Sequence, residues 1–302
     1  MKDRTGHFAF VVFRSLFQVL PRSACLNFGR GLGTLAFLLA VRHRRIAYKN
    51  LRTAFGTKIN RRNLRKLALS SFRHFGAVLA DIFKLVHVDR TEREKLVSVE
   101  GWENLTEALA RGRGVLVFSA HLGNWEMGSL MISRAGRFNV IARALDNKLM
   151  EKELAAFRET LGARVIHKQQ ASRKVIQALR DGEIVAILID QNVLRSQAVF
   201  VDFFGRPAAT TPALGAFHLR TGAPLVPVFC LPEAGNRYRL RILPPPEIEL
   251  SGDLADNVLK ITEICTKMIE KEIRQAPGCW LWFHDRWRSR PEHEHSSEDK
   301  AD

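Results

Sequence analysis

The chain has 302 residues, 46% of them hydrophobic, and a formal net charge of +16; that is enough apolar material for a full core and excludes a disordered or low-complexity protein. Cys25, Cys230, Cys265 and Cys279 form no CxxC pair and no repeated spacing, so neither a disulfide framework nor a zinc site is indicated, and a reducing cytosol suits the chain. The charge is uneven: residues 1–75 carry 16 Lys and Arg against Asp3 alone, while the other 31 basic residues face 30 acids, so the N-terminal quarter points to an anionic surface, either nucleic acid or a membrane leaflet.

Residues 8–20 (FAFVVFRSLFQVL) and 31–41 (GLGTLAFLLAV) are apolar runs broken by Arg14, Pro21, Arg22 and Arg30. Each is shorter than the roughly 20 residues that a spanning helix needs, and no small-residue cleavage site marks a secretory signal. An in-plane or re-entrant membrane anchor is expected, with a soluble core segment and a true span as the alternatives. Gly29-Arg30-Gly31-Leu32-Gly33 follows no buried strand and is not a dinucleotide fingerprint. Over residues 61–86, Leu64, Leu67, Phe72, Phe75, Leu79, Ile82, Phe83 and Val86 recur near a 3.6-residue period, with Arg61, Arg62, Arg65, Lys66 and Arg73 largely outside that stripe. This predicts an amphipathic helix whose apolar face meets either the core or lipid.

From about residue 99 the pattern alternates between strand and helix. VLVFS (115–119), FNVIA (138–142), RVI (164–166), IVAILI (184–189), PLVPVF (224–229) and YRLRIL (238–243) read as buried, mostly parallel strands of an α/β domain. Active sites of such sheets lie beyond the carboxyl ends of the strands. After VLVFS comes His121-Leu122-Gly123-Asn124-Trp125-Glu126: a histidine at the strand tip, a Gly-Asn turn, and a carboxylate where a helix begins. Five residues apart across a turn, the two side chains can meet; a carboxylate on one imidazole nitrogen fixes the tautomer and makes the other nitrogen a better base. Amides of the following helix N-terminus are candidates to stabilise an oxyanion. The competing reading is a satisfied turn histidine and an acid that merely suits a helix N-terminus.

In this setting HLGNWE resembles the HxxxxD/E block of the bacterial lipid A late acyltransferases, the lauroyl and myristoyl transferases, a branch of the wider glycerolipid acyltransferase group. Further blocks agree in order: Asn50-Leu51-Arg52-Thr53-Ala54-Phe55 with the NxxxAF block, Asp190-Gln191-Asn192 with the acidic block, Phe203-Phe204-Gly205 followed by Ala209-Thr210 with FFG-x-x-A-x-T, and Trp282-Phe283-His284-Asp285-Arg286-Trp287 with the aromatic-basic ending. The resemblance spans roughly residues 8–288. Gly56 stands where proline is common in the family, and Asn192 lies where members vary.

The resemblance implies His121 as general base and Glu126 as its orienting partner, with Arg143 and Arg173 as contacts to an anionic group of the substrate. Asp190 and Gln191 are expected to order the pocket floor, and Thr210 or Thr211 before Pro212 to cap a helix. Trp280, Trp282 and Trp287 either pack on the sheet or form an interfacial belt, with packing preferred.

The expected layout is a basic, membrane-associating helical region over 1–85, a catalytic domain over 86–290 and a disordered tail over 291–302. The implied reaction is attack of a lipid-linked hydroxyl on an acyl thioester, with no metal or redox cofactor. The donor is acyl carrier protein or acyl-coenzyme A, and the acceptor a lipid A precursor on the cytoplasmic face of the inner membrane. Two alternatives stand: acylation of a phosphatidylinositol mannoside or another glycolipid, and a non-enzymatic peripheral membrane or nucleic-acid-binding protein, which would leave His121 and Glu126 without a purpose.

Overall fold

A computed structural model describes residues 15, 17–56, 59–85, 87–144, 147–167 and 171–291, so most of the apolar run at 8–20 and nearly all of the tail lie outside the described residues. Three helices come first: α1 (Arg22–Leu39), α2 (Val41–Phe55) and α3 (Arg61–Leu85). There follow α4 (Arg90–Glu94), β1 (Val97–Glu100), α5 (Trp102–Ala110), β2 (Val115–Ser119), α6 (Trp125–Ile132), β3 (Phe138–Ala142), α7 (Lys148–Thr160), β4 (Ala163–His167), α8 (Ala171–Arg180) and β5 (Ile184–Leu188). The hairpin β6 (Val199–Phe203) and β7 (Arg206–Thr210) precedes α9 (Ala213–Thr221), β8 (Leu225–Glu233), β9 (Arg237–Ile242) and α10 (Leu254–Gln275).

Seven strands form one sheet in the order β1-β9-β8-β2-β5-β3-β4, while β6 and β7 pair separately. All neighbours in the large sheet are parallel except β8 and β9, which are antiparallel. That exception follows from chain length, since the link from Glu233 to Arg237 is far too short for the crossover that parallel strands require. Both faces of the sheet are covered, as an apolar strand without polar alternation demands. On β2, Leu116 and Phe118 join one buried cluster with α1 to α3, α8 and α10, whereas Val115 and Val117 join another with α5, α6 and α7. The N-terminal helices thus share the core of the sheet.

Glycines decide how α1 meets α3. Gly29 and Gly33, one turn apart, lie against the backbone of Gly76 and Phe72, so closely that a methyl group at Gly33 would overlap the Phe72 carbonyl. Absent side chains there let two helix backbones touch. The Gly29–Gly33 run is therefore a helix-packing device, consistent with its rejection as a nucleotide motif. Because both opposing surfaces are backbone and cannot move aside, Gly33→Ala should destabilise the protein by about 1–3 kcal/mol; an unchanged melting temperature would contradict this packing.

The opposite side of α1 leaves Phe28, Leu32, Leu35 and Leu39 exposed, a stripe at helical spacing. Among the described residues no single helix is long and apolar enough to cross a membrane; α1 and α2 reach that length only as a pair, bent by 91°. The helix expected over 61–86 is α3. It buries Leu64, Phe72 and Phe75 in the protein while Leu79 is exposed, so its apolar stripe is mainly a core face.

Candidate active site

Strand register builds the site. β2 and β5 are parallel neighbours, with Ser119 opposite Leu188, and two residues beyond each lie His121 and Asp190. They meet: His121 Nδ1 is 2.9 Å from Asp190 Oδ1, and the His121 amide donates to Oδ2 at 2.9 Å. Oδ2 also accepts the Trp280 indole N–H at 2.8 Å. Burial alone would raise the Asp190 pKa, but the facing His121 charge and these hydrogen bonds outweigh it and hold the carboxyl at about 2. An ionised carboxylate on Nδ1 requires the proton there, which leaves the lone pair on Nε2. The Gln191 amide, 3.3 Å from Nε2, faces that lone pair as a donor.

This corrects the expected pairing. Among the described residues no hydrogen bond joins Glu126 to His121; Glu126 accepts from Arg158 Nη2 at 2.8 Å, Arg158 Nε at 3.2 Å and Trp125 Nε1 at 3.2 Å. The reason is helical geometry: Glu126 sits in the first turn of α6, buried against α7, while the imidazole turns back over the sheet edge toward β5. Among the described residues Glu126 connects to the imidazole through Trp125, whose ring packs 5.1 Å from that of His121. Asp190, expected to order the pocket floor, is instead the partner of the imidazole.

The turn between them is held from behind. Gly123 has φ +66° and lies against the Cys230 carbonyl, a place with no room for a side chain. Its N–H donates to Cys279 O, and the Asn124 N–H donates to Cys230 O. Asn124 caps α6 by accepting from the Met127 N–H, and donates to Asp81, a fully buried carboxylate that also binds Arg22 through two 2.7 Å bonds and the Tyr238 hydroxyl at 2.6 Å. With the Gly123 and Asn124 amides occupied, the expected oxyanion donors narrow to the first α6 amides, Trp125 and Glu126.

An apolar cavity of about 60 Å³ opens beside Trp125, Glu126 and Arg158, between α6 and the sheet, lined also by Val117, Ile132 and Val140. Arg143 is exposed just past β3, and Arg173 is exposed in the first turn of α8; the structure brings neither to His121 by a hydrogen bond among the described residues. Thr211 accepts weakly from the Ala213 N–H at 3.4 Å, as a cap would, whereas Thr210 accepts from buried Arg286 at 2.5 Å.

The other sequence blocks converge around the same place. Asn50 donates to the Trp282 and His284 carbonyls, and the Asn192 N–H donates to His284 Nε2 at 2.9 Å. Phe55 packs tilted against Trp282 and Phe204 meets it edge-on. Trp280, Trp282 and Trp287 are buried, so they pack rather than form a belt. Arg286, pushed down to about 10 by burial, donates to Ala209 O and lies over the Phe203 ring. Arg158 is the site-supporting residue that motif reading did not single out; Asn50 stands in a sequence block and Trp280 among the tryptophans expected to pack, but their partners, the Trp282 and His284 carbonyls and Asp190, are tertiary facts.

Two further histidines are held neutral. Burial pushes His74, which donates to Gly123 O at 3.1 Å, and His284 down to about 4. Between about pH 6.5 and 4 the unfolded chain takes up protons that the fold refuses, so stability should fall as pH drops through that window, by up to roughly 3 kcal/mol for each histidine. Asp190, held low, loses its contribution only further down, from about pH 4 towards 2. Urea midpoints at pH 7 and pH 4.5 check this; equal midpoints would refute it.

Residues 1–289 match the family described as bacterial lipid A biosynthesis acyltransferase. The chain is similar to the lipid A biosynthesis palmitoleoyltransferase of Escherichia coli K12, at 29% identity over 91% of this chain and 89% of that protein. It is also similar to the lauroyltransferase of the same organism, at 28% over 90% and 88%. The phosphatidylinositol mannoside acyltransferase of Mycobacterium tuberculosis H37Rv is 26% identical over 73% of this chain and 70% of that protein. With that match running through every block that converges on His121, the chain belongs to the bacterial lipid A biosynthesis acyltransferase family.

Proposed function

We propose that this protein transfers a fatty acyl chain from an acyl thioester to a hydroxyl of a lipid A precursor, and that His121 is the base. The carrying observation is the imidazole fixed by Asp190 through Nδ1 and packed on Trp125, a residue that also lines the apolar cavity. The acceptor hydroxyl attacks the thioester carbonyl while Nε2 takes its proton. The tetrahedral oxyanion is stabilised by the N-terminal amides of α6, and its collapse forms the ester and expels the thiolate, which takes the proton back from Nε2. Glu126 keeps Trp125 and Arg158 in place at the cavity mouth and so positions the imidazole. Arg143 and Arg173 serve as anion contacts at the rim.

Acyl carrier protein is the preferred donor, since its acidic surface suits a basic face, with acyl-coenzyme A as the other candidate. A lipid A acceptor is preferred over a phosphatidylinositol mannoside because the lipid A relatives align over about 90% of the chain and the mannoside relative over 73%. The exposed stripe of α1 beside the basic N-terminal helices supports in-plane association with the cytoplasmic face of the inner membrane.

The test is His121→Ala. It should lower transfer by about 10²–10⁴-fold, with folding unchanged, because a general base contributes that much to the chemical step. Mass spectrometry of lipid A from a strain that carries only the variant should show the acceptor lacking one chain; near-normal acylation would remove His121 from the mechanism.

A further inference from the structure

A second concavity, of about 490 Å³, lies where α1 and α3 meet the β8–β9 hairpin. Its size falls within the roughly 300–1,000 Å³ of small-ligand sites. Arg30, Lys66, Arg73 and Arg237 line it, drawn from three separate elements. The side chains of Lys66, Arg73 and Arg237 form no ion pair or hydrogen bond among the described residues, and Arg30 is held by the side-chain oxygens of Asn27 at 2.7 Å and Asn236 at 2.9 Å. The carboxylate that also lines the cleft, Glu233, is hydrogen-bonded by Arg239 and Ser98, and its charge also faces Arg237, so the cleft holds four cations against one acid.

The cleft is built rather than incidental. Asn236, at φ +57° in the hairpin turn, is fixed to α1 twice: its carbonyl accepts from Arg22, and its side chain accepts from Arg30. Arg22 is in turn clamped by Asp81. Four cations gathered around one concavity repel each other and raise a local positive potential, which an anion with several acceptor oxygens would relieve. Guanidinium groups in particular match phosphate oxygens. His74 forms part of the wall and donates to the Gly123 carbonyl, so the cleft adjoins the back of the catalytic turn.

We propose that this cleft binds a phosphate ester carried by one of the two acyl-transfer substrates, with Arg30, Lys66, Arg73 and Arg237 around the anion. The identity of the carrier rests on the acyl-transfer reading; the binding itself does not. The phosphate belongs either to a lipid headgroup or to the pantetheine arm of the donor, and the same assay separates them.

Isothermal calorimetry on the full chain in neutral detergent would compare dihexanoyl phosphatidate with dihexanoylglycerol, and coenzyme A with pantetheine. The expected result is at least tenfold tighter binding of the phosphate-bearing member in one pair, and that pair names the source. Arg73→Gln with Arg237→Gln should abolish the preference. Both side chains are exposed, so the double variant should keep the wild-type melting temperature. Arg111→Gln with Arg180→Gln removes equal charge from elsewhere on the surface and should leave the preference intact. No phosphate preference in either pair, a preference that survives the first double variant, or equal loss in the second would each overturn the proposal. A wild-type protein that transfers no acyl group yet shows the preference would overturn the acyl-transfer reading and leave the cleft standing.

Discussion

Asp190→Asn should lower kcat by about 10³–10⁴-fold while the protein remains folded. The carboxylate accepts the imidazole Nδ1–H, the His121 amide and the Trp280 indole N–H. Asparagine offers one oxygen and two N–H groups, so it either forfeits one of those bonds or presents a donor to Nδ1. The second outcome moves the imidazole proton to Nε2, where it blocks acceptance of the substrate proton. A single-turnover assay at saturating donor, with the melting temperature as a control, separates this from misfolding. Activity within tenfold of wild type would show that Asp190 does not set the tautomer.

Glu126→Ala should instead act first on stability. Its carboxylate is 5% exposed and its partner Arg158 is 17% exposed, so removing the acid leaves a mostly dehydrated guanidinium without its counter-charge. Breaking a buried pair costs about 3–5 kcal/mol, and the partial access of water to Arg158 places this case near the lower end, about 3 kcal/mol. Activity should also fall, because Trp125 loses its hydrogen bond and with it the surface on which His121 rests. Arg158→Met added to Glu126→Ala should recover most of the stability but not the activity. If the double variant is no more stable than Glu126→Ala, the ion pair is not the cause.

Much of this architecture is legible in the sequence, and for definite reasons. Continuous apolar runs such as VLVFS and FNVIA need burial on both faces, so β2 and β3 were readable to the residue. The helix at 61–86 was readable from its period. His121 stands out in the sequence as a candidate because a strand tip is where parallel sheets place chemistry. Its partner was misread because proximity along the chain favoured Glu126, five residues away, over Asp190, sixty-nine away. Only the pairing of β2 with β5, skipping β3 and β4, brings Asp190 alongside, and strand order leaves no local trace. The β6–β7 hairpin was missed because VFVDF and RPAAT are short and mixed in character, and β1 because VSVE alternates over only four residues. The glycines of α1 were noticed, but their opposite surface on α3 is a tertiary fact.

Trp280, which binds Asp190, and Trp282 lie near the C-terminal end of the chain and complete the core only after the sheet has been made. His121 is translated roughly 160 residues before Trp280, an interval of roughly 8–30 s at ribosomal speed. Until then the Asp190 carboxylate lacks its indole donor, and the sheet face that Trp280 and Trp282 later cover stays open. A nascent chain therefore exposes that apolar face until its C-terminal segment has been made, and such a transiently open surface is prone to aggregate.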